Sequence, residues 1–201
     1  MNFLAHLLLA GDDEGLRLGA LLGDFTKGKR ALRKYPHGVR EGIRLHRHID
    51  STIDKHQAVV DLRHDIPDPY RRYGGIIIDL GLDHVLANRW EQYSAESLED
   101  FDLGVRAMLE RNEKLVPKRL KKFMSYADRR GLFAAYRNED QILRSISGVG
   151  RRFLRPNPLH RVSEIWDDLK PKFADCFEVA FPAIQSDVAD WVKSRSTTTG
   201  S

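Results

Sequence analysis

Between Gly74 and Ala87 the chain is apolar except for three ionisable side chains, Asp79, Asp83 and His84. Helical or not, a run so rich in Ile and Leu has almost no polar face to turn toward water, and it belongs inside the molecule. A carboxylate enclosed by Ile and Leu is costly unless a cation or hydrogen bonds compensate it. The segment therefore constrains both the fold around it and the chemistry that meets Asp79 and Asp83.

The same oddity recurs upstream. His6 stands among apolar neighbours in Asn2–Ala10, and Asp24 follows Leu18-Gly-Ala-Leu-Leu-Gly. His46, Asp50 and Asp54 follow Gly42-Ile-Arg-Leu. Several such groups together suggest a divalent metal ion.

Helical periodicity dominates, and strand signals are poor. Only Gly75-Ile-Ile-Ile is rich in β-branched residues, inside an apolar stretch long enough to favour helix. The pattern predicts an all-α bundle of roughly seven to ten helices. They fall at Asn2–Ala10, Gly15–Phe25, Tyr35–Lys55 with a break near Gly38, Val59–His64, Pro69–Gln92 and Leu98–Asn112. Others follow at Lys118–Arg129, Leu132–Gly148, Leu159–Ala180 and Ala183–Ser194, with Pro171 and Pro182 expected to bend or break the last pair. A chain of 201 residues favours one domain with a sizeable core. The expected domain is 1–193, followed by a small, polar, disordered tail at 194–201.

Composition narrows the setting. With 31% charged and 41% hydrophobic residues the chain has an ordinary soluble balance. No apolar run reaches the ~18 residues of a membrane helix, and Met-Asn-Phe-Leu-Ala-His lacks the basic lead of a signal peptide. Cys176 is the only cysteine, which excludes an intrachain disulfide and fits a reducing, cytoplasmic compartment. Net charge is +4 and patchy. Lys27–Lys34 and Lys114–Lys122 each hold five cations and no anion, and Arg151, Arg152 and Arg155 form a third cluster. Such patches attract nucleic acid, anionic lipid or an acidic protein, and each one alone also reads as a solvated helix face.

Helix geometry turns spacing into shape. His46 and Asp50 are four residues apart and share a face, as do Asp50 with Asp54 and Asp79 with Asp83. His84 is rotated roughly 100° from Asp83. Two helices thus each offer a stacked pair of ligands, while His6 and Asp24 come from two further elements. Helical bundles build metal sites by that kind of convergence. Without a cysteine pair the pattern does not point to a structural zinc site. Imidazole mixed with carboxylate suits Mn²⁺, Fe²⁺, Zn²⁺ or, with more waters, Mg²⁺. Such an ion acidifies a bound water and neutralises charge on a phosphoryl oxygen. Plainer roles exist for each residue. His6 reads as a core histidine, Asp50 and Asp54 as partners of Arg44, Arg47 or Lys55, and Asp24 as a helix cap. His37, His48, His56, His64 and His160 lie in polar surroundings and carry no functional expectation.

Several blocks jointly resemble one family. They are Asn2-Phe-Leu-Ala-His6, Gly23-Asp24-Phe25 with Lys27-Gly28, Gly42-Ile43 with His46-Arg47 and Ile49-Asp50, Asp54, and Asp79 with Asp83-His84, Leu86 and Trp90. Tyr136-Arg137 through Ile142, Ile146 and Gly148 to Arg151-Arg152 fits as well. In this order they resemble the acyl carrier protein phosphodiesterases, or holo-acyl-carrier-protein hydrolases, over most of the chain. The resemblance implies an all-helical, HD-domain-like phosphohydrolase. It would cut 4′-phosphopantetheine from the serine of holo-acyl carrier protein with Mn²⁺ or a similar ion. The simple HD pattern has adjacent His-Asp, whereas this chain has Asp83-His84 and His46-Arg47, so the family does not assign individual ligands here.

The expected metal ligands are His6, Asp24, His46, Asp50, Asp79 and Asp83, with Mn²⁺ first and Mg²⁺, Fe²⁺ and Zn²⁺ as alternatives. The expected catalytic groups are Asp24, His84, Arg47 and Arg137. His84 would protonate the leaving serine, and an arginine would match the phosphate oxygens. Acidic holo-acyl carrier protein is the expected partner, and nucleic acid is not. Two alternatives remain at this level: an HD-like phosphohydrolase acting on a nucleotide or other small phosphoester, and a non-enzymatic basic helical adaptor. A di-iron bundle would use Glu-x-x-His pairs, which the chain lacks.

Overall fold

The computed structural model describes residues 3–121 and 133–196. Among the described residues there are eight α-helices and no strand. These are α1 (Phe3–Leu9), α2 (Glu14–Leu22), α3 (His37–Ile53), α4 (Gln57–Asp65), α5 (Gly74–Asn88), α6 (Leu98–Arg111), α7 (Glu139–Gly150) and α8 (Ser163–Ser196). Short 3-10 turns include Gly23–Phe25, Arg71–Tyr73, Trp90–Gln92 and Ala134–Arg137. The all-α expectation is borne out. Among the described residues no helix is long and apolar enough to cross a membrane. The helix expected at Lys118–Arg129 lies, from residue 122 onward, outside the described residues, as do Lys122 and the tail from residue 197.

The apolar segment Gly74–Ala87 is enclosed on several sides. α5 packs against α1, α4, α7 and α8 and buries Ile77, Ile78, Leu80, Leu82, Asp83 and Leu86. Each buried Leu or Ile contributes about 1.5–3 kcal/mol by leaving water. Its ends differ from the Pro69–Gln92 helix expected, because 3-10 turns replace α-helix at Arg71–Tyr73 and Trp90–Gln92. α7 likewise starts later than Leu132. Asn138 caps it, its Oδ1 accepting from the Gln141 N–H at 3.2 Å.

The two helices expected after Leu159 are one. Pro171 and Pro182 both lie inside α8, and each removes one backbone donor. That cost is offset by the stripe Trp166, Phe173, Phe177, Phe181 and Ile184, every one of them buried in the core. At 1.5 Å per residue α8 is about 50 Å long, and it runs along α3, α4 and α5.

A tight crossing of α2 and α3 positions the site. A Cβ on Gly19 would fall 2.2 Å from the Val39 carbonyl oxygen, and one on Gly42 would fall 2.3 Å from that of Leu16. Only bare backbone allows so close an approach. It sets the C-terminal end of α2, and the turn after it, against the middle of α3.

Candidate metal centre

Three side chains from two helices meet where α1, α3 and the end of α2 come together. His6 Nε2 of α1 lies 3.1 Å from Asp50 Oδ1, and His46 Nε2 of α3 lies 3.1 Å from Asp50 Oδ2. The two imidazoles stack with centroids 4.1 Å apart. One ligand atom from each of His6, His46 and Asp50 falls within 4.8 Å of the other two. Asp24, on the turn Gly23–Phe25, completes the rim with Oδ1 3.5 Å from His46 Nε2. Both histidines are buried, whereas the Asp24 and Asp50 side chains are about half exposed. The cluster is thus open to solvent from the carboxylate side.

Local structure explains why these groups aim at one point. His46 and Asp50 are one turn apart on α3, as their spacing requires. His46 Nδ1 donates to the Ala20 carbonyl at 2.8 Å, which fixes the ring and turns Nε2 toward the carboxylates. Gly23 packs flat on that ring. A Cβ there would lie 2.2 Å from His46 Cγ. Gly23 escapes a reading based on ionisable residues, and its place directly before Asp24 is the only local signal.

The His6 ring supplies the observation that separates a metal site from a core histidine. Both of its nitrogens are buried and have no hydrogen-bond partner. Asp50 Oδ1 is near in distance but not aligned as an acceptor. Buried polar atoms are normally satisfied. An imidazole nitrogen left bare beside a carboxylate and a second imidazole is what a divalent cation would satisfy.

Electrostatics split the two histidines. Burial, reinforced by His46, pulls His6 down to about 4 against the pull of Asp50. Burial also opposes charge on His46, but its bonds to Asp24 and Asp50 outweigh it and raise His46 to about 9. Burial pushes Asp50 up, yet His46 and His6 overcome it and hold the carboxyl well below the usual range. At neutral pH the ion-free cluster is neutral His6, cationic His46 and anionic Asp50. Because His46 is raised in the folded state, its contribution to stability is full below 6.5 and is lost as pH rises through about 9. A cation needs the neutral ring, so its affinity should climb with pH toward about 9. Mn²⁺ binding at pH 7.5 should release about one proton, read by calorimetry in buffers of different ionisation heat. Uptake without proton release would contradict this charge distribution.

The remaining candidates lie elsewhere. Asp83 is fully buried and accepts the backbone N–H groups of Leu4 at 2.9 Å and Ala5 at 3.3 Å. Its cost is compensated by the start of α1, whose first N–H groups lack partners within the helix. It thus caps the start of α1, the helix that carries His6, and lies outside the His6, His46 and Asp50 triad. Asp79 stays outside the triad but near it: burial raises its carboxyl, and the charges of Asp50 and Asp54 add to the rise. Asp54 makes a surface ion pair, with Arg63 at 3.1 Å and not with the expected Arg44, Arg47 or Lys55. His84 lies outside the triad, with Nδ1 donating to the Tyr136 carbonyl at 2.7 Å. Arg137 is engaged by three neighbouring groups. Its guanidinium is occupied by the Ala87 carbonyl, Glu91 and Glu99, binding the end of α5 to α6. Arg47 stays close, with Nη2 donating to the Thr26 carbonyl at 2.7 Å, two residues past Asp24.

Fold and cluster together define the class: an all-α protein with two histidines and an aspartate placed to hold a divalent cation. Residues 1–184 match the acyl carrier protein phosphodiesterase family, and the chain belongs to it. The acyl carrier protein phosphodiesterase of Photorhabdus laumondii is 31% identical over 182 residues, covering 90% of this chain and 89% of that protein. The protein of the same name from Escherichia coli is 32% identical over 182 residues, covering 90% and 92%. That from Pectobacterium atrosepticum is 36% identical over 127 residues, covering 63% and 65%. No solved structure matches the chain, so the HD-like relationship rests on the sequence resemblance alone.

Proposed function

We propose that this protein is a metal-dependent hydrolase that removes 4′-phosphopantetheine from holo-acyl carrier protein and leaves the apo-protein. The observation that carries the reading is the His6, His46 and Asp50 triad, with its bare buried imidazole, in a chain of the acyl carrier protein phosphodiesterase family. Water adds to phosphorus, the bond from phosphorus to the carrier serine oxygen breaks, and that oxygen takes up a proton. His6, His46 and Asp50 would hold the ion, Mn²⁺ first, with Mg²⁺, Fe²⁺ and Zn²⁺ as alternatives. When bound it supplies acidification of water and neutralisation of phosphoryl charge.

The chain's own groups do the rest. Asp24, on the open rim, accepts the proton of the incoming water. Arg47 holds the turn after Asp24 with one nitrogen and keeps further donors for a phosphate oxygen. Asp83 holds α1, so that His6 meets Asp50 without reorganisation. A carrier-protein substrate also fits a cytoplasmic enzyme.

The test is incubation with holo-acyl carrier protein and Mn²⁺, read by intact mass. The whole phosphopantetheine mass should disappear, a chelator should stop the loss, and added Mn²⁺ should restore it. No loss with any of the four metals would overturn the reading. Cleavage of small phosphodiesters alone would favour the small-phosphoester alternative.

A further inference from the structure

The turn that carries Asp24 runs straight into a strongly cationic stretch of the chain. Residues 25–40 contain six lysines and arginines and no aspartate or glutamate. Lys27, Lys29, Arg30, Arg33 and Lys34 are all exposed, and no acidic side chain pairs with any of them among the described residues. Many other surface cations are compensated. Glu14 pairs with Arg111, Glu91 and Glu99 with Arg137, and Asp65 with Lys172.

This cationic turn is also firmly seated. Thr26 is buried, its Oγ1 donates to the Leu22 carbonyl at 2.9 Å, and its own carbonyl accepts from Arg47. Leu32 and Tyr35 are sunk into the core. The charges therefore ride on an ordered platform, which lowers the ordering cost of binding.

The other two patches are less well placed. The one after α6 follows Arg111, which binds Glu14 at the start of α2. That is the end of α2 remote from Asp24, about 13 Å along a nine-residue helix. Arg151, Arg152 and Arg155 follow α7, which packs chiefly on α5 and the turn Pro158–Arg161.

We propose that the Lys27–Lys34 turn is the docking face for an acidic helical protein, and that the carrier protein binds there with its modified serine over the triad. The identity of that partner rests on the hydrolysis proposed above. Complementary charge would speed encounter and fix register, and both effects should weaken with salt.

The experiment compares wild type with Lys27→Glu/Lys29→Glu/Arg30→Glu/Arg33→Glu and with Arg151→Glu/Arg152→Glu/Arg155→Glu. Apo-carrier protein binding is titrated at low and high salt, and kcat and KM are measured with the holo form. Since the four side chains are exposed and lack ion pairs, thermal stability should hold, and the Gln versions give the same order at smaller size. The turn variant should lose at least about tenfold in affinity, flatten the salt dependence, and raise KM with kcat within about twofold. Unchanged affinity in that variant, a loss confined to the arginine variant, or no binding by wild type would overturn the docking face. Wild type that binds through the turn but does not hydrolyse keeps the docking face and sinks the reaction. Hydrolysis with unaltered KM in the turn variant keeps the reaction and sinks the docking face.

Discussion

Asp50→Ala should abolish divalent-cation uptake and hydrolysis while leaving the helical fold in place. The two oxygens of Asp50 each reach a different imidazole, both at 3.1 Å. Without it the stacked rings of His6 and His46 have no shared carboxylate. Loss of an outer partner of a metal ligand typically costs ~10–100-fold in affinity, and loss of the bridging ligand should exceed that. The side chain is about half exposed, so its removal leaves no large cavity. His46 would also lose one of the two carboxylates that raise it, and its pKa should fall. Calorimetric titration with Mn²⁺ and intact mass of holo-carrier protein read the two losses. Wild-type affinity for Mn²⁺ in this variant would remove Asp50 from the site.

The largest expected effect on stability is at Asp83. Asp83→Ala strips two buried N–H groups of their acceptor at the start of α1. Each orphaned donor costs about 1–3 kcal/mol, so a loss near 3 kcal/mol is expected. For a domain of this size that lowers Tm by roughly 10 °C. Manganese affinity should fall as well, because His6 follows within one turn of the lost cap. Asp83→Asn keeps one acceptor oxygen and should fall between. Thermal denaturation with and without metal distinguishes a cap from a ligand. An unchanged metal-free Tm together with lost metal binding would return Asp83 to the ligand set.

The two aspartates of α5 show where sequence reading stops. Spacing at i and i+4 correctly puts two groups on one helix face, and it does so equally for His46 with Asp50 and for Asp79 with Asp83. It does not say what faces them. On α3 the facing element brings an imidazole. On α5 the facing element brings the backbone donors of a helix start nearly eighty residues earlier. No local pattern encodes that meeting. The partners of Arg137 are equally non-local, since Glu91 and Glu99 reach it from other elements. The all-α class was legible because 3.6-residue periodicity is a local property. The continuity of α8 through Pro171 and Pro182 was not, because it depends on the aromatic stripe that α8 buries against other helices.

The bond between Leu4 and Asp83 also sets an order of assembly. Its partners are 79 residues apart, and the loop between them must close before the contact can stabilise anything. On a chain growing from its N-terminus, His6 is made early yet waits for α5 before it has a seat. α2 and α3 can pair sooner through Gly19 and Gly42, placing His46, Asp50 and Asp24 first. The candidate triad is therefore completed only once α5 has formed, and an ion bound there would tie α1 to α3.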